Sequence, residues 1–197
     1  VGPGVLVPRP ESETMIEAAL AHLPATAAAR VLDLGTGSGC LLLTVLTERP
    51  AAIGLGVERS REALAYAAAN RRALGLAERC RLIQGSWLDA VGGPFDLVLA
   101  NPPYVPAAEV AALMVDVRDF EPRLALDGGD DGLAPHRLIL AQLAAHLAPG
   151  GLALFEIGHE QGRAALAAAL AAGFTAPRLL QDLAGHDRCL VVAAETA

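Results

Sequence analysis

Short runs of β-favouring aliphatic residues alternate with longer stretches of helical period along almost the whole chain. That alternation restricts the fold to an α/β class with a mostly parallel sheet. The runs Arg30–Leu34, Ile53–Glu58, Arg81–Gly85, Phe95–Asn101, Leu152–Ile157, Arg178–Asp182 and Cys189–Ala193 read as seven strands of one sheet. Helices are predicted over Glu11–Leu23, Gly39–Glu48, Arg61–Leu74 behind the N-cap Ser60, Ala134–Leu147, and Gln161–Ala172 with Gly173 as the stop. Their apolar stripes would cover both faces of the sheet. The stretch from Val105 to Gly132 breaks the alternation just after a strand, which marks it as an excursion over the working face.

Composition narrows the function classes. A chain of 197 residues that is 53% hydrophobic is sized for one domain with a buried core. All 15 basic residues are arginines, so a P-loop lysine, a Schiff-base lysine and a pyridoxal-phosphate anchor are excluded. A net charge of -7 works against stable binding to a nucleic-acid backbone, which needs clustered cations. Cys40, Cys80 and Cys189 are odd in number and widely spaced, a usage that fits a reducing cytoplasm with neither a disulfide framework nor a metal site. The apolar runs are too short to span a bilayer, so the expectation is a soluble cytoplasmic protein with no membrane partner. The five histidines form no triad, and His22, His136 and His146 are read as solvated helix residues.

Two segments carry chemistry. Asp33-Leu34-Gly35-Thr36-Gly37-Ser38-Gly39 follows a strand and opens a helix, where glycines let a ligand approach the backbone. Gly37 and Gly39 are two apart, whereas a dinucleotide fingerprint spaces its last two glycines three apart. The acid Asp33 would repel a pyrophosphate but suits an ammonium or sulfonium group, which favours S-adenosylmethionine over NAD. Glu58 ends the next strand 23 positions after Gly35, placed to accept the hydroxyls of a ribose. Trp87 follows the third strand, where it either walls the adenine or packs in the core.

The second segment is Asn101-Pro102-Pro103-Tyr104 at the end of the fourth strand. Its two prolines fix the backbone so that the Asn101 side chain and the Pro102 carbonyl can face one point. Neither is a strong base. An amide or aryl-amine nitrogen is a poor nucleophile because its lone pair is delocalised. Two acceptors holding its N–H bonds would aim that lone pair at a sulfonium methyl. Tyr104 is placed to stack on the planar group.

Together with Val7-Pro-Arg-Pro-Glu-Ser-Glu13, Glu121-Pro122, Asp131-Gly132, Glu156-Ile-Gly158 and Asp182-Leu-Ala-Gly-His-Asp-Arg188, these segments span the chain. The set resembles the protein-(glutamine-N5) methyltransferases that modify peptide chain release factors. The resemblance implies a class I S-adenosylmethionine-dependent methyltransferase fold with one antiparallel strand near the end. Its substrate would be the glutamine of the Gly-Gly-Gln motif in bacterial release factors. It implies that Asp33, Leu34, Gly35, Thr36, Gly37, Glu58, Trp87 and Asn101 line the cofactor site. Asn101, Pro102, Pro103 and Tyr104 would hold the glutamine, with Asn101, Pro102 and Tyr104 serving the chemistry.

Asn-Pro-Pro-Tyr is shared with enzymes that methylate amino groups of adenine or guanine in DNA or ribosomal RNA, and these form the alternative reading. Relative to the family pattern, Glu58 replaces an aspartate, Arg59 stands where an apolar residue flanks the adenine, and Ser86 stands at an often acidic position, with Asp89 the nearby candidate to substitute for it. The family also carries a helical N-terminal recognition domain, so residues 1–197 are read as the catalytic domain alone.

Overall fold

The seven predicted strands form because each alternates apolar side chains toward two faces. The computed structural model describes residues 1–89 and 91–195. Its strands are β1 (Arg30–Leu34), β2 (Ile53–Glu58), β3 (Cys80–Gln84), β4 (Phe95–Ala100), β5 (Leu147–Glu156), β6 (Arg178–Gln181) and β7 (Asp187–Ala193). They pair in the order β3-β2-β1-β4-β5-β7-β6, with β1 to β5 parallel and β7 antiparallel to both of its neighbours. Strand order reverses between β3 and β4, so the carboxyl ends of β1 and β4 meet at a switch point where an open α/β sheet offers a crevice.

Period two sorts the core into two layers. Leu32, Leu34, Val98, Ala100, Ala153, Phe155, Leu190 and Val192 pack to one side, against Ile139, Leu140 and Leu143 of α5 (Ala134–Leu143) and Ala165 and Ala169 of α6 (Gly162–Ala171). Val31, Leu97, Leu99, Leu154 and Val191 pack to the other, against Met15 and Ala19 of α1 (Glu13–His22) and Leu42, Val45 and Leu46 of α2 (Cys40–Glu48). Phe155 is fully buried, a placement that stabilises by about 1.5–3 kcal/mol relative to exposure. The helix α3 (Arg61–Ala73) lies along β3 and starts where the Ser60 hydroxyl accepts the Ala63 amide at 3.2 Å. Two arginines close helix ends. Arg49 donates to the Leu20 and Leu23 carbonyls after α1, and Arg79 to those of Leu46 and Ala52 after α2.

Some of these expectations need correction. The helix predicted to run to Leu147 ends at Leu143, and one 3₁₀ turn over Ala144–His146 leads into β5. That strand begins at Leu147, which pairs with Phe95 across a register shift, so the Pro149-Gly150-Gly151 break does not delay it. His136 is fully buried, not solvated. The helix α5 turns it onto β5, where its ring lies 6.1 Å from that of Phe155 and Nε2 stands 2.8 Å from the Glu156 carbonyl. Burial pushes its pKa down to about 4, and a carbonyl partner requires the neutral ring to carry its proton on Nε2. His22 and His146 are half-buried, with both ring nitrogens of His146 against the carbonyls of Gln142 and Val91. The excursion after β4 holds only the turns Val110–Ala112 and Arg123–Ala125 and the short α4 (Val115–Arg118), tied down by a lone bridge between Val105 and Asp127. Among the described residues no helix is long and apolar enough to cross a membrane.

Candidate functional site

At the switch point lies a cavity of about 1130 Å³. Its floor is the loop between β1 and α2, where Gly35, Gly37 and Gly39 take positive φ of 71°, 56° and 84°. The Gly35 and Thr36 amides donate to the Val57 carbonyl at 2.9 and 3.0 Å, which locks the loop to the end of β2. A side chain at Gly35 would stand 3.2 Å from the Trp87 ring, so the indole lies over this glycine. Trp87 itself has φ of 47°, a conformation that a bulky residue adopts only when its surroundings impose it.

Two acids face this floor. Asp33, at the carboxyl end of β1, is buried, and its Oδ2 accepts the Thr36 hydroxyl at 2.6 Å. Its Oδ1 is buried without a hydrogen-bond partner. Burial raises its pKa to about 7, opposed by the Thr36 hydrogen bond and aided by the nearby Glu58 charge. Glu58 accepts the Gly37 amide at 2.9 Å and the Ser60 amide at 2.8 Å, so it braces the loop as well as lining the cavity. Arg59 and Ser86 also line the cavity, whereas Asp89 is exposed and lies outside the lining.

Asn101 and Pro103 reach the same cavity from the end of β4. Of the residues expected here, Asp33, Gly35, Thr36, Gly37, Glu58, Trp87, Asn101 and Pro103 all line one space. Leu34, Pro102 and Tyr104 do not. Leu34 points into the core with Leu32, as the period of a strand demands, and Pro102 is buried. The Tyr104 hydroxyl donates to Glu156 Oε1 at 3.3 Å instead of standing free over the cavity. Burial, then the neighbouring Glu156 charge, pushes its pKa up to about 12, so it remains a donor.

Sequence reasoning gave no role to the segment ahead of α1. Val5, Leu6, Pro8, Arg9, Pro10 and Ser12 form part of the cavity wall, and the Arg9 guanidinium pairs with the Glu121 carboxylate of the excursion after β4. Glu156 was likewise cited only as part of a motif. Its signal was present: a lone acid inside the apolar run Leu152-Ala-Leu-Phe-Glu-Ile157. Among the described residues no group of three or more histidines, cysteines or acids is placed to hold a metal ion.

Residues 14–118 match the Methyltransferase small domain family. The whole chain aligns at 46% identity with a release factor glutamine methyltransferase of Rhodospirillum rubrum, covering 60% of that protein. Against the release factor glutamine methyltransferase of Gloeobacter violaceus it is 44% identical over 98% of its own length and 68% of the relative's. The chain belongs to the release factor glutamine methyltransferase family. A solved release factor-specific protein-(glutamine-N5) methyltransferase of Alicyclobacillus acidocaldarius superposes over 99% of this chain and 98% of that one, with a TM-score of 0.58 and 26% identity. The chain spans about three fifths to two thirds of the length of the first curated relatives it matches.

Proposed function

We propose that this chain transfers a methyl group from S-adenosylmethionine to the side-chain amide nitrogen (N5) of the glutamine in the Gly-Gly-Gln motif of bacterial peptide chain release factors. The observation that carries the reading is that one cavity is lined both by the glycine loop with its two acids and by the Asn101 turn. The residues suit the cofactor. Asp33 keeps a buried acceptor oxygen without a donor, which an ammonium group would satisfy, and Glu58 stands at the ribose position with its carboxylate fixed by two backbone amides. Trp87 is held over Gly35 as an apolar wall.

When bound, S-adenosylmethionine supplies a methyl group made electrophilic by the sulfonium. Asn101 Oδ1 and the Pro102 carbonyl accept the two N–H bonds of the glutamine amide. This holds the nitrogen at one point and favours the geometry in which its lone pair leaves conjugation. Pro102 enters this reading through its carbonyl alone, since its ring is buried. Tyr104, drawn back to Glu156, acts as a brace rather than a stacking surface. The chain then comprises the catalytic domain and works in the cytoplasm beside its substrate, without stable nucleic-acid binding.

Incubating the protein with labelled S-adenosylmethionine and, separately, a release factor, ribosomal RNA and DNA tests the reading. Label should appear on the release factor and disappear when its motif glutamine is replaced by alanine. Label on RNA or DNA instead would favour the amino-methyltransferase reading.

Asp33 adds a pH dependence. Its pKa of about 7 lies above the ordinary 3.8, so folding alone favours the protonated acid, and this group's contribution to stability falls as pH rises between those values. A cationic ligand needs the ionised form. Cofactor affinity should therefore weaken as pH drops below about 7, approaching tenfold per pH unit by linkage. Calorimetric titrations across that range would measure it, and Asp33→Asn should bind weakly with a flat profile. A steep profile that persists in Asp33→Asn would assign the proton elsewhere.

A further inference from the structure

We propose that Glu156 is a positioning residue that fixes the orientation of the Asn101 carboxamide, turning Nδ2 toward itself and Oδ1 toward the cavity. The inference rests on the functional reading above and names what makes Asn101 an acceptor. A carboxamide has two ends of nearly equal size, one a donor and one an acceptor, and an unconstrained side chain would present either. Only the acceptor end is useful to a substrate N–H.

The sheet brings the two residues together. Parallel pairing sets Ala100 beside Phe155, so the next residues along the two strands, Asn101 and Glu156, emerge side by side at the carboxyl edge. Glu156 is 1% exposed, an unusual place for an acid, and its two oxygens accept from two directions. Ser12 Oγ donates to Oε2 from the segment ahead of α1, and Tyr104 Oη donates to Oε1. The Asn101 side chain stands beside it at the same edge of the sheet and favours its ionised form. A carboxylate only accepts, so the Asn101 atom directed at it is Nδ2.

The surroundings keep the acid able to do this. The Ser12 hydrogen bond, the positive charge of Arg188, the Tyr104 hydrogen bond and the neighbouring Asn101 all oppose the desolvation that raises its pKa. Its main-chain carbonyl is pinned by His136 Nε2 at 2.8 Å. One buried carboxylate thereby ties together the cavity wall at Ser12, the turn at Tyr104 and the acceptor at Asn101.

The test is a double-mutant cycle on the full chain with a bacterial release factor as acceptor. Glu156→Gln preserves shape, and the Ser12 and Tyr104 hydroxyls can rotate to suit it, but a glutamine offers Asn101 both an acceptor and a donor. Single-turnover transfer at saturating cofactor and acceptor should fall between about tenfold and about a hundredfold, the cost of a displaced reacting geometry. Cofactor affinity by calorimetry and the acceptor KM should stay within about twofold, because the interaction lost acts on the reaction step. In the Asn101→Ala background, Glu156→Gln should cost nothing further, because the residue it orients is gone.

An independent readout is the Asn101 side-chain NH₂ signal in a nitrogen-correlated NMR spectrum, identified by its loss in Asn101→Ala. It should move upfield in Glu156→Gln as the charged acceptor is lost. Multiplicative losses in the cycle, or an unmoved amide signal, would overturn the inference while leaving the functional reading intact. Loss of cofactor binding in Glu156→Gln would show a structural role and overturn it too. A wild-type chain that labels no release factor would overturn the functional reading and this inference with it.

Discussion

Asn101→Ala should slow methyl transfer about a hundredfold while cofactor binding persists, the scale of deleting one preorganised polar group, or about 3 kcal/mol of barrier. The asymmetry follows from where Asn101 stands. It lines the same cavity as the glycine loop, but the loop is built from β1, β2 and their own hydrogen bonds, which the substitution leaves untouched. On the proposed reading the substitution removes the contact to the reacting nitrogen, which matters most when the amide loses its conjugation, along with the carboxamide that faces Glu156. Single-turnover labelling of a release factor at saturating cofactor measures the first quantity and calorimetry the second. Asn101→Asp is the harder case. It retains an acceptor, yet it sets a second carboxylate beside buried Glu156, and two such acids tend to share a proton. The aspartate should therefore also be slow. Transfer by Asn101→Ala at the wild-type rate would remove the amide-holding role from the turn.

The central strands were legible because their signals are local. Runs such as Arg30–Leu34 and Ile53–Glu58 are bounded by turn residues and match β1 and β2 to the residue. The glycine loop was legible for the same reason: its acid, its turn and the helix that follows lie within one short segment. What escaped was long-range. Nothing near His136 in sequence says that α5 turns it onto Phe155, 19 positions away. Likewise Tyr104 looks free to stack until β5 delivers a buried acid to its hydroxyl, 52 residues later in the chain. Leu34 was assigned to the cavity with its motif neighbours, although the period of the strand already sends it into the core with Leu32. The corrections share one cause, which is that a motif reports which residues are near a site and the sheet decides which way each one points.

Gly128→Ala should impair the same chemistry by pressing on the turn that carries Asn101. Its φ is not in the left-handed region, so the backbone would tolerate alanine, and the obstacle is space. A Cβ there would stand 2.6 Å from the Gly132 carbonyl oxygen, 2.7 Å from the Pro103 carbonyl oxygen and 2.8 Å from Gly132 Cα. All three are backbone atoms, which cannot rotate aside. Gly128 cannot retreat cheaply either, because its amide donates to Val105 at 2.8 Å and its carbonyl accepts from Ala134 at 3.0 Å. Part of the strain must therefore move the Pro103 side of the contact, carrying the Asn101 turn with it. The expected result is a stability loss of about 1–3 kcal/mol, as for overpacking, together with a fall in kcat of about tenfold to a hundredfold from misplacement of the acceptors. Gly75→Ala supplies the control. It has a positive φ of 68° and open space around its Cβ position, and it lies beyond α3, away from the cavity lining. That variant should lose about 1–2 kcal/mol of stability by strain alone and keep its transfer rate. Urea unfolding and single-turnover transfer on both variants separate the two effects. If Gly128→Ala is destabilised but transfers methyl at the wild-type rate, the turn at Asn101 is not held by the 128–132 loop.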